Sequence, residues 1–337
     1  MSPIRMAQYG TKHGHAAGKL SAMQRHPEVE LAGVFEPDIE RRRQLQYDER
    51  WQGVFWFESE EQLLGDPSIV AVASEGLNAE SLPQTQALVA AGKHVWYDKP
   101  AGEDWPLWQT VVADARRQGL YIQMGYMFRY HEGFARIANW ARSGALGDLF
   151  AIRAHMSTHL TPDARRVIAV HRGGIYYDLA GHMLDQIVWI LGRPERVTSI
   201  LRHDDGDVVP GFVDNSLVIH EFATAPNRGA IAVVDIAAME PRPMARRYEV
   251  YGTRGSAILL EPFEPAKQIR LCLEEPIDGY SIGVHQVPVA HQSRQDLYDL
   301  ELDAFLRVLR GEQAPDRPPE HELLVQETLL RGTGVLS

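Results

Sequence analysis

Hydrophobic patterning divides the chain into two regimes. From residue 1 to about 125, short apolar runs alternate with amphipathic stretches, the signature of βαβ units and a parallel sheet. Ile4–Tyr9 and Glu30–Phe35 read as the first two strands, with helices over Ala16–Met23 and Ile39–Tyr47 behind them. Val54–Trp56, Ile69–Ala73, His94–Tyr97 and Leu120–Met124 are predicted as strands three to six. Gly92 stops the helix before the fifth strand, and Gly125 closes this half.

Beyond a helix at about 131–143 the pattern changes to long runs of period two: Leu149–His159, Arg196–His203, Asn215–Phe222, Gly229–Ala238, Tyr248–Tyr251 and Ser256–Glu261. Such runs, split by turns such as Ala225–Gly229, predict a mostly antiparallel open sheet with one face turned to solvent or a partner. Two helices, Arg294–Arg310 and Pro319–Leu330, end the chain around a proline-rich link. The expected fold class is α/β, with a doubly wound parallel sheet over residues 1–125. An α+β domain carrying a large open sheet is expected over residues 126–337.

Composition narrows the function. The formal net charge of -11 gives no footprint for a nucleic acid or an anionic membrane surface. Arg41-Arg42-Arg43 is flanked by Asp38, Glu40, Asp48 and Glu49 and reads as a solvated helix face. The single cysteine, Cys272, excludes an intrachain disulfide and a multi-cysteine zinc site. With no leader-like N-terminus and no long apolar run, a cytoplasmic protein without a membrane span is expected.

The chemistry starts at Gly10-Thr11-Lys12-His13-Gly14-His15, directly after the first strand. A dinucleotide turn needs a tight glycine, close approach of backbone to pyrophosphate, and a helix N-terminus aimed at the phosphates. Only Gly10 is in register with a G-x-G-x-x-G fingerprint, because Lys12 and His15 hold the other two positions. Glu36, just after the second strand, stands where an acid meets the adenine ribose hydroxyls, and its charge favours NAD over NADP. Arg41–Arg43 keep NADP as the lesser option.

Asp98-Lys99-Pro100 follows the fifth strand, so Lys99 sits at the carboxyl end of a parallel sheet, where open α/β folds bind ligands. An ammonium there stabilises the oxyanion that develops as a hydroxyl carbon loses hydride. Farther on, Asp178, His182 and Asp185 fall on one stripe of a helix that has no Lys, Arg or Glu between Gly173 and Gly192. Trp189 shares that stripe. His182 has the ordinary pKa for proton exchange near neutrality, with a carboxylate one turn away to orient or tune it.

These residues, with Ala90-Ala91-Gly92-Lys93-His94-Val95, Gly125-Tyr126-Met127-Phe128-Arg129-Tyr130 and Gly173-Gly174, resemble the glucose-fructose oxidoreductase, inositol dehydrogenase and rhizopine-catabolism family, Gfo/Idh/MocA. The resemblance implies a Rossmann domain, a C-terminal open-sheet domain that often forms the oligomer interface, and NAD or NADP between them. It implies catalytic roles for Lys99, Asp178 and His182, and a cis bond before Pro100. The chain departs from the family pattern at Asp98, where glutamate is usual, at Lys12 and His15, and at Ser74-Glu75-Gly76-Leu77-Asn78, where a Thr-Pro-Asn type is commoner.

Cofactor contacts are therefore expected from Gly10, Thr11, Lys12, His13, Gly14, Glu36, Ser74, Glu75, Asn78, Asp98 and Lys99. Substrate contacts are expected from Tyr126, Arg129, His155, His159, Arg172, Tyr176, Asp178 and His182. The implied reaction moves a hydride between a nicotinamide and a hydroxyl carbon of a sugar, polyol or sugar derivative, in a homodimer or homotetramer built through the C-terminal sheet. The competing readings are a lyase or glycoside-cleaving enzyme using tightly held NAD, and a non-catalytic ligand sensor. No metal is expected, since His155 and His159 on one extended strand stand about 13 Å apart.

Overall fold

A computed structural model describes residues 2–206, 209–223, 229–259, 262–264 and 266–337. The turn expected at Ala225–Gly229 lies almost wholly outside the described residues. The chain divides into two compact units, residues 1–126 with 294–323, and residues 127–293 with 324–337.

The first unit runs β1 (Ile4–Tyr9), α1 (Ala16–Arg25), β2 (Val29–Phe35), α2 (Ile39–Leu45), α3 (Glu60–Gly65), β3 (Ala71–Ser74), α4 (Ser81–Ala90), β4 (His94–Tyr97), α5 (Trp105–Gln118) and β5 (Ile122–Met124). Among the described residues its strands form one parallel sheet in the order β2-β1-β3-β4-β5. The order reverses between β1 and β3, which opens a crevice at their carboxyl ends. The strand expected at Val54–Trp56 is not a ladder member. It makes a single bridge, Val34 to Trp56, because Phe55 points to solvent while Trp56 stacks on Trp51.

The second unit contains α6 (Glu132–Arg142), β6 (Leu149–His155), α7 (Pro162–Ile168), α8 (Gly174–Leu191) and seven further strands. These are β7 (Arg196–Arg202), β8 (Asn215–Phe222), β9 (Ala230–Ala237), β10 (Arg247–Gly252), β11 (Gly255–Leu259), β12 (Gln268–Leu273) and β13 (Gly283–Pro288). The sheet order is β13-β12-β11-β10-β6-β9-β8-β7, antiparallel throughout except for the β6–β9 pair. One face is a buried layer of Val218, His220, Ala232, Val234, Ile236, Tyr248 and Val250. The opposite face is open, and Ile200, Leu217 and Ile231 stand exposed on it.

The tail returns to the first unit as α9 (Arg294–Leu309), which packs against α1. The last helix, α10 (Pro319–Thr333), gives its first residues to the first unit and the rest to the second. No helix among the described residues is long and apolar enough to cross a membrane.

Candidate active site

The turn after β1 is shaped by glycine. Gly10 has φ +85°, and a Cβ there would lie 2.7 Å from the Gly76 nitrogen, so only glycine lets the chain pass the end of β3. Gly14 differs: a Cβ there would meet nothing within 4 Å, which leaves open room against the backbone. The N-terminus of α1 has no side-chain cap and no acid in its first turn. Its N–H groups and dipole therefore suit an anion.

Glu36 is buried at the end of β2 and accepts the Thr11 hydroxyl at 2.5 Å and the Asp38 N–H at 2.9 Å. Arg41 donates to the Thr11 hydroxyl at 2.7 Å and to its carbonyl at 2.7 Å. Lys12 reaches Glu80 at 3.0 Å and Asp38 at 3.5 Å. The residues fit a dinucleotide: an open glycine, an uncapped helix N-terminus and an acid held at the ribose position converge on one turn.

Beneath the turn lies a buried charged cluster. Lys19 is fully buried, 3.0 Å from Glu75, 3.2 Å from Asp98 and 4.5 Å from the Trp96 ring centre. Asp98 also meets His13 Nδ1 at 3.2 Å and His15 Nδ1 at 3.0 Å. Burial pushes the Asp98 carboxyl up, but His13, His15 and Lys19 outweigh it and hold the group well below the usual range. Glu75 goes the other way, raised by burial against the pull of Lys19. Burial lowers His15 to about 4, against the pull of Asp98. Glu301, from α9, is pushed up to about 7 by burial.

Lys99 follows β4, is nearly buried, and precedes a cis bond to Pro100. Its backbone N–H donates to Asp98 at 2.8 Å. Ser74 is buried at the end of β3, where it accepts the Thr85 hydroxyl at 3.1 Å, and Asn78 is half-buried.

In the second unit α8 starts at Gly173, whose φ is +87°. His182 is buried against the edge of Phe128 at 5.1 Å, and Asp178 is half-buried one turn before it. Asp185 is fully buried and bidentately paired to Arg129, whose guanidinium stacks 4.0 Å from the Trp189 ring centre.

Residues 6–126 match the oxidoreductase family with NAD-binding Rossmann fold, and residues 134–258 match the GFO/IDH/MocA C-terminal domain. The chain belongs to the GFO/IDH/MocA oxidoreductase family. It is 29% identical over 210 residues to a trans-1,2-dihydrobenzene-1,2-diol dehydrogenase of Oryctolagus cuniculus, covering 60% of each. It is 24% identical over 269 residues to a 1,5-anhydro-D-fructose reductase of Ensifer adhaerens, covering 78% of this chain and 76% of that one. Among solved structures, GenD2 from gentamicin A biosynthesis, in complex with NAD, superposes with a TM-score of 0.79 at 22% identity, over 99% of this chain and 95% of that one.

Within this GFO/IDH/MocA chain the expected cofactor residues Gly10, Thr11, Lys12, His13, Gly14, Glu36, Glu75 and Asp98 gather around one turn. The expected substrate residues scatter. Tyr176 is fully buried with its hydroxyl 3.3 Å from His220 Nε2, which fixes it inside the sheet–helix core and removes it as a substrate contact. His155 lies on the open sheet face: its register partners are Arg247 and Asp235, and Leu217 and Ile200 follow beyond Asp235 in the same row. That face is opposite to the one α8 covers, so His155 stands away from His182.

His155 instead binds Asp235 and, at 3.2 Å, Glu240, which raise its pKa. His159 is exposed and contacts the Glu240 carbonyl at 3.1 Å. Strand β6 stops at His155, short of the expected His159, but backbone hydrogen bonds continue from Met156 to Asp235 and Thr158 to Ala237, up to the bridge His159 to Met239. Arg129 is committed to Asp185, Tyr126 is buried with Arg317 over its ring, and Arg172 is exposed.

Lys19 and Glu301 were not among the expected residues. Both carry a legible signal: Lys19 interrupts the buried stripe Ala16, Leu20, Met23 of α1, and Glu301 stands between Leu297 and Phe305 on α9. A charge at a core position of a helical stripe marks a buried polar network.

Proposed function

We propose that this oxidoreductase uses NAD to oxidise a hydroxyl carbon, or reduce the corresponding carbonyl, on a sugar, polyol or related small molecule. The observation that carries the reading is Glu36, fixed by Thr11 and Asp38 at the ribose position of a glycine turn that leaves Gly14 open. A carboxylate there binds the ribose diol and repels a 2′-phosphate, which favours NAD. Arg41, the nearest cation, is spent on Thr11.

Bound NAD would accept or return the hydride. Lys99 would hold its ammonium against the substrate oxygen and stabilise the charge that develops there. His182 would take the hydroxyl proton, with Asp178 one turn earlier to orient the ring. Burial of Lys99 and His182 strengthens such interactions by excluding water. The named activities of the rabbit and Ensifer relatives, a diol dehydrogenase and an anhydrofructose reductase, support a CH–OH substrate.

Calorimetric titration with NAD and NADP, followed by turnover on a panel of sugars, polyols and their keto forms, tests the reading. NAD should bind more tightly, and at least one panel member should produce reduced nicotinamide. Failure to bind either dinucleotide would overturn it.

We also propose a homo-oligomer through the open sheet face, where the aliphatic side chains of Ile200, Leu217 and Ile231 are 53%, 36% and 44% exposed. Ile231→Asp should lower the assembly's mass measured by light scattering, and a monomeric wild type would end the proposal.

A further inference from the structure

The cluster under the turn does more than support it. Three potential ligand atoms, one ring nitrogen of His13, one of His15 and a carboxylate oxygen of Asp98, lie within 4.8 Å of one another. We infer that His13, His15 and Asp98 form a binding site for a divalent transition-metal ion of the Zn²⁺ type, different in chemistry from the dinucleotide although His13 and Asp98 border the cofactor turn.

The geometry favours a metal over a set of hydrogen bonds. Asp98 Oδ2 stands 3.2 Å from His13 Nδ1 and 3.0 Å from His15 Nδ1. Ligand atoms about 2.0–2.1 Å from a tetrahedral ion stand about 3.3 Å apart, which the two Asp98–histidine separations already match. His13 Nδ1 also accepts the His15 N–H at 3.2 Å.

A second observation points the same way. Glu75 is fully buried, neither of its carboxylate oxygens meets a hydrogen-bond donor in good geometry, and Oε2 stands 3.7 Å from His13 Nδ1. Both oxygens of buried Glu301 likewise lack a hydrogen-bond partner. Glu75, Asp98 and Glu301 thus face one buried ammonium, Lys19, while Arg317 is taken by Glu322. A divalent cation near Glu75 Oε2 would add to the single ammonium of Lys19 in offsetting these buried carboxyls.

Lys19, 3.2 Å from Asp98 Oδ2, fits the role of an outer partner that orients a ligating carboxylate. The side chains of His13 and His15 keep 10% and 14% exposure, which gives an ion an entry path and a water position. The expectation of no metal weighed only the cysteine count and the His155–His159 spacing. The two turn histidines and Asp98, more than 80 residues apart in sequence, come together only through the β1–β3–β4 order.

The test uses the full chain, stripped with chelator and free of dinucleotide, titrated with Co²⁺ and then Zn²⁺. The inference predicts one ion per chain and visible Co²⁺ ligand-field bands that Zn²⁺ abolishes. Since changes even to outer partners cost about 10- to 100-fold in metal affinity, His15→Gln and His13→Gln should each weaken binding by at least about 100-fold. Exposed His291→Gln should leave it unchanged. Circular dichroism confirms that each variant is folded, and either turn variant alone suffices. No stoichiometric binding, or binding as tight in a folded turn variant as in the wild type, would overturn the site.

Discussion

Thr11 donates its hydroxyl to Glu36 at 2.5 Å, and so ties the glycine turn to the end of β2. The acid is thereby held by the protein's own groups, so a ribose bound there would not have to order it. Glu36→Ala should remove the hydrogen bonds to a charged acceptor and weaken NAD about 10- to 100-fold, with little effect on NADP. Calorimetric titration with both dinucleotides checks this. Equal loss for the two would place Glu36 outside the ribose site.

Arg129 and Asp185 form a buried, bidentate ion pair, with Trp189 stacked on the guanidinium. Asp185→Leu or Arg129→Met alone should cost about 3–5 kcal/mol, because each strands a charged group. The double variant Arg129→Met with Asp185→Leu should recover much of that loss. Urea unfolding measures all three. Additive losses in the double variant would mean that the two side chains are not coupled.

How much of this was legible follows from where the alternation is clean. The strands of the first unit are read well because they are apolar runs closed by glycine and capping signals. Val54–Trp56 looked equally apolar, yet Phe55 faces water and only Trp56 reaches the sheet. Edge strand β13 alternates in burial, but its more buried positions are Gly283, His285 and Val287 while Val284 is exposed, so no apolar alternation marks it in the sequence. The Asp178–His182–Asp185 stripe of α8 was readable as a helix face, but its acids do not share one role. Asp185 is neutralised by Arg129, a partner more than 50 residues away that no local pattern announces. His155 was misplaced for a similar reason: alternation gives two faces, and sequence alone does not say which one α8 covers.

His220 makes stability depend on pH in a defined direction. Burial lowers its pKa from 6.5 to about 4, with Arg331 adding to the effect and the Ala232 backbone opposing it. The folded value lies below the unfolded one, so above about pH 6.5 both states are neutral and nothing is lost. As pH falls toward 4, the unfolded chain takes up a proton that the folded chain refuses, and stability drops by about 3 kcal/mol. The stability of His220→Leu relative to wild type should therefore shift in the variant's favour between about pH 7 and pH 4. Urea unfolding across that range checks it, and a difference flat with pH would contradict it.

The central claim is that Lys99 and His182 carry out hydride chemistry on a CH–OH group with NAD. The most direct measurement is the rate of reduced-nicotinamide formation by wild type, Lys99→Met and His182→Asn on the best panel substrate, alongside NAD affinity. Each substitution should lower kcat by about 10²- to 10⁴-fold while NAD binding stays within a few-fold. Turnover unchanged in both variants, with NAD still bound, would contradict the account.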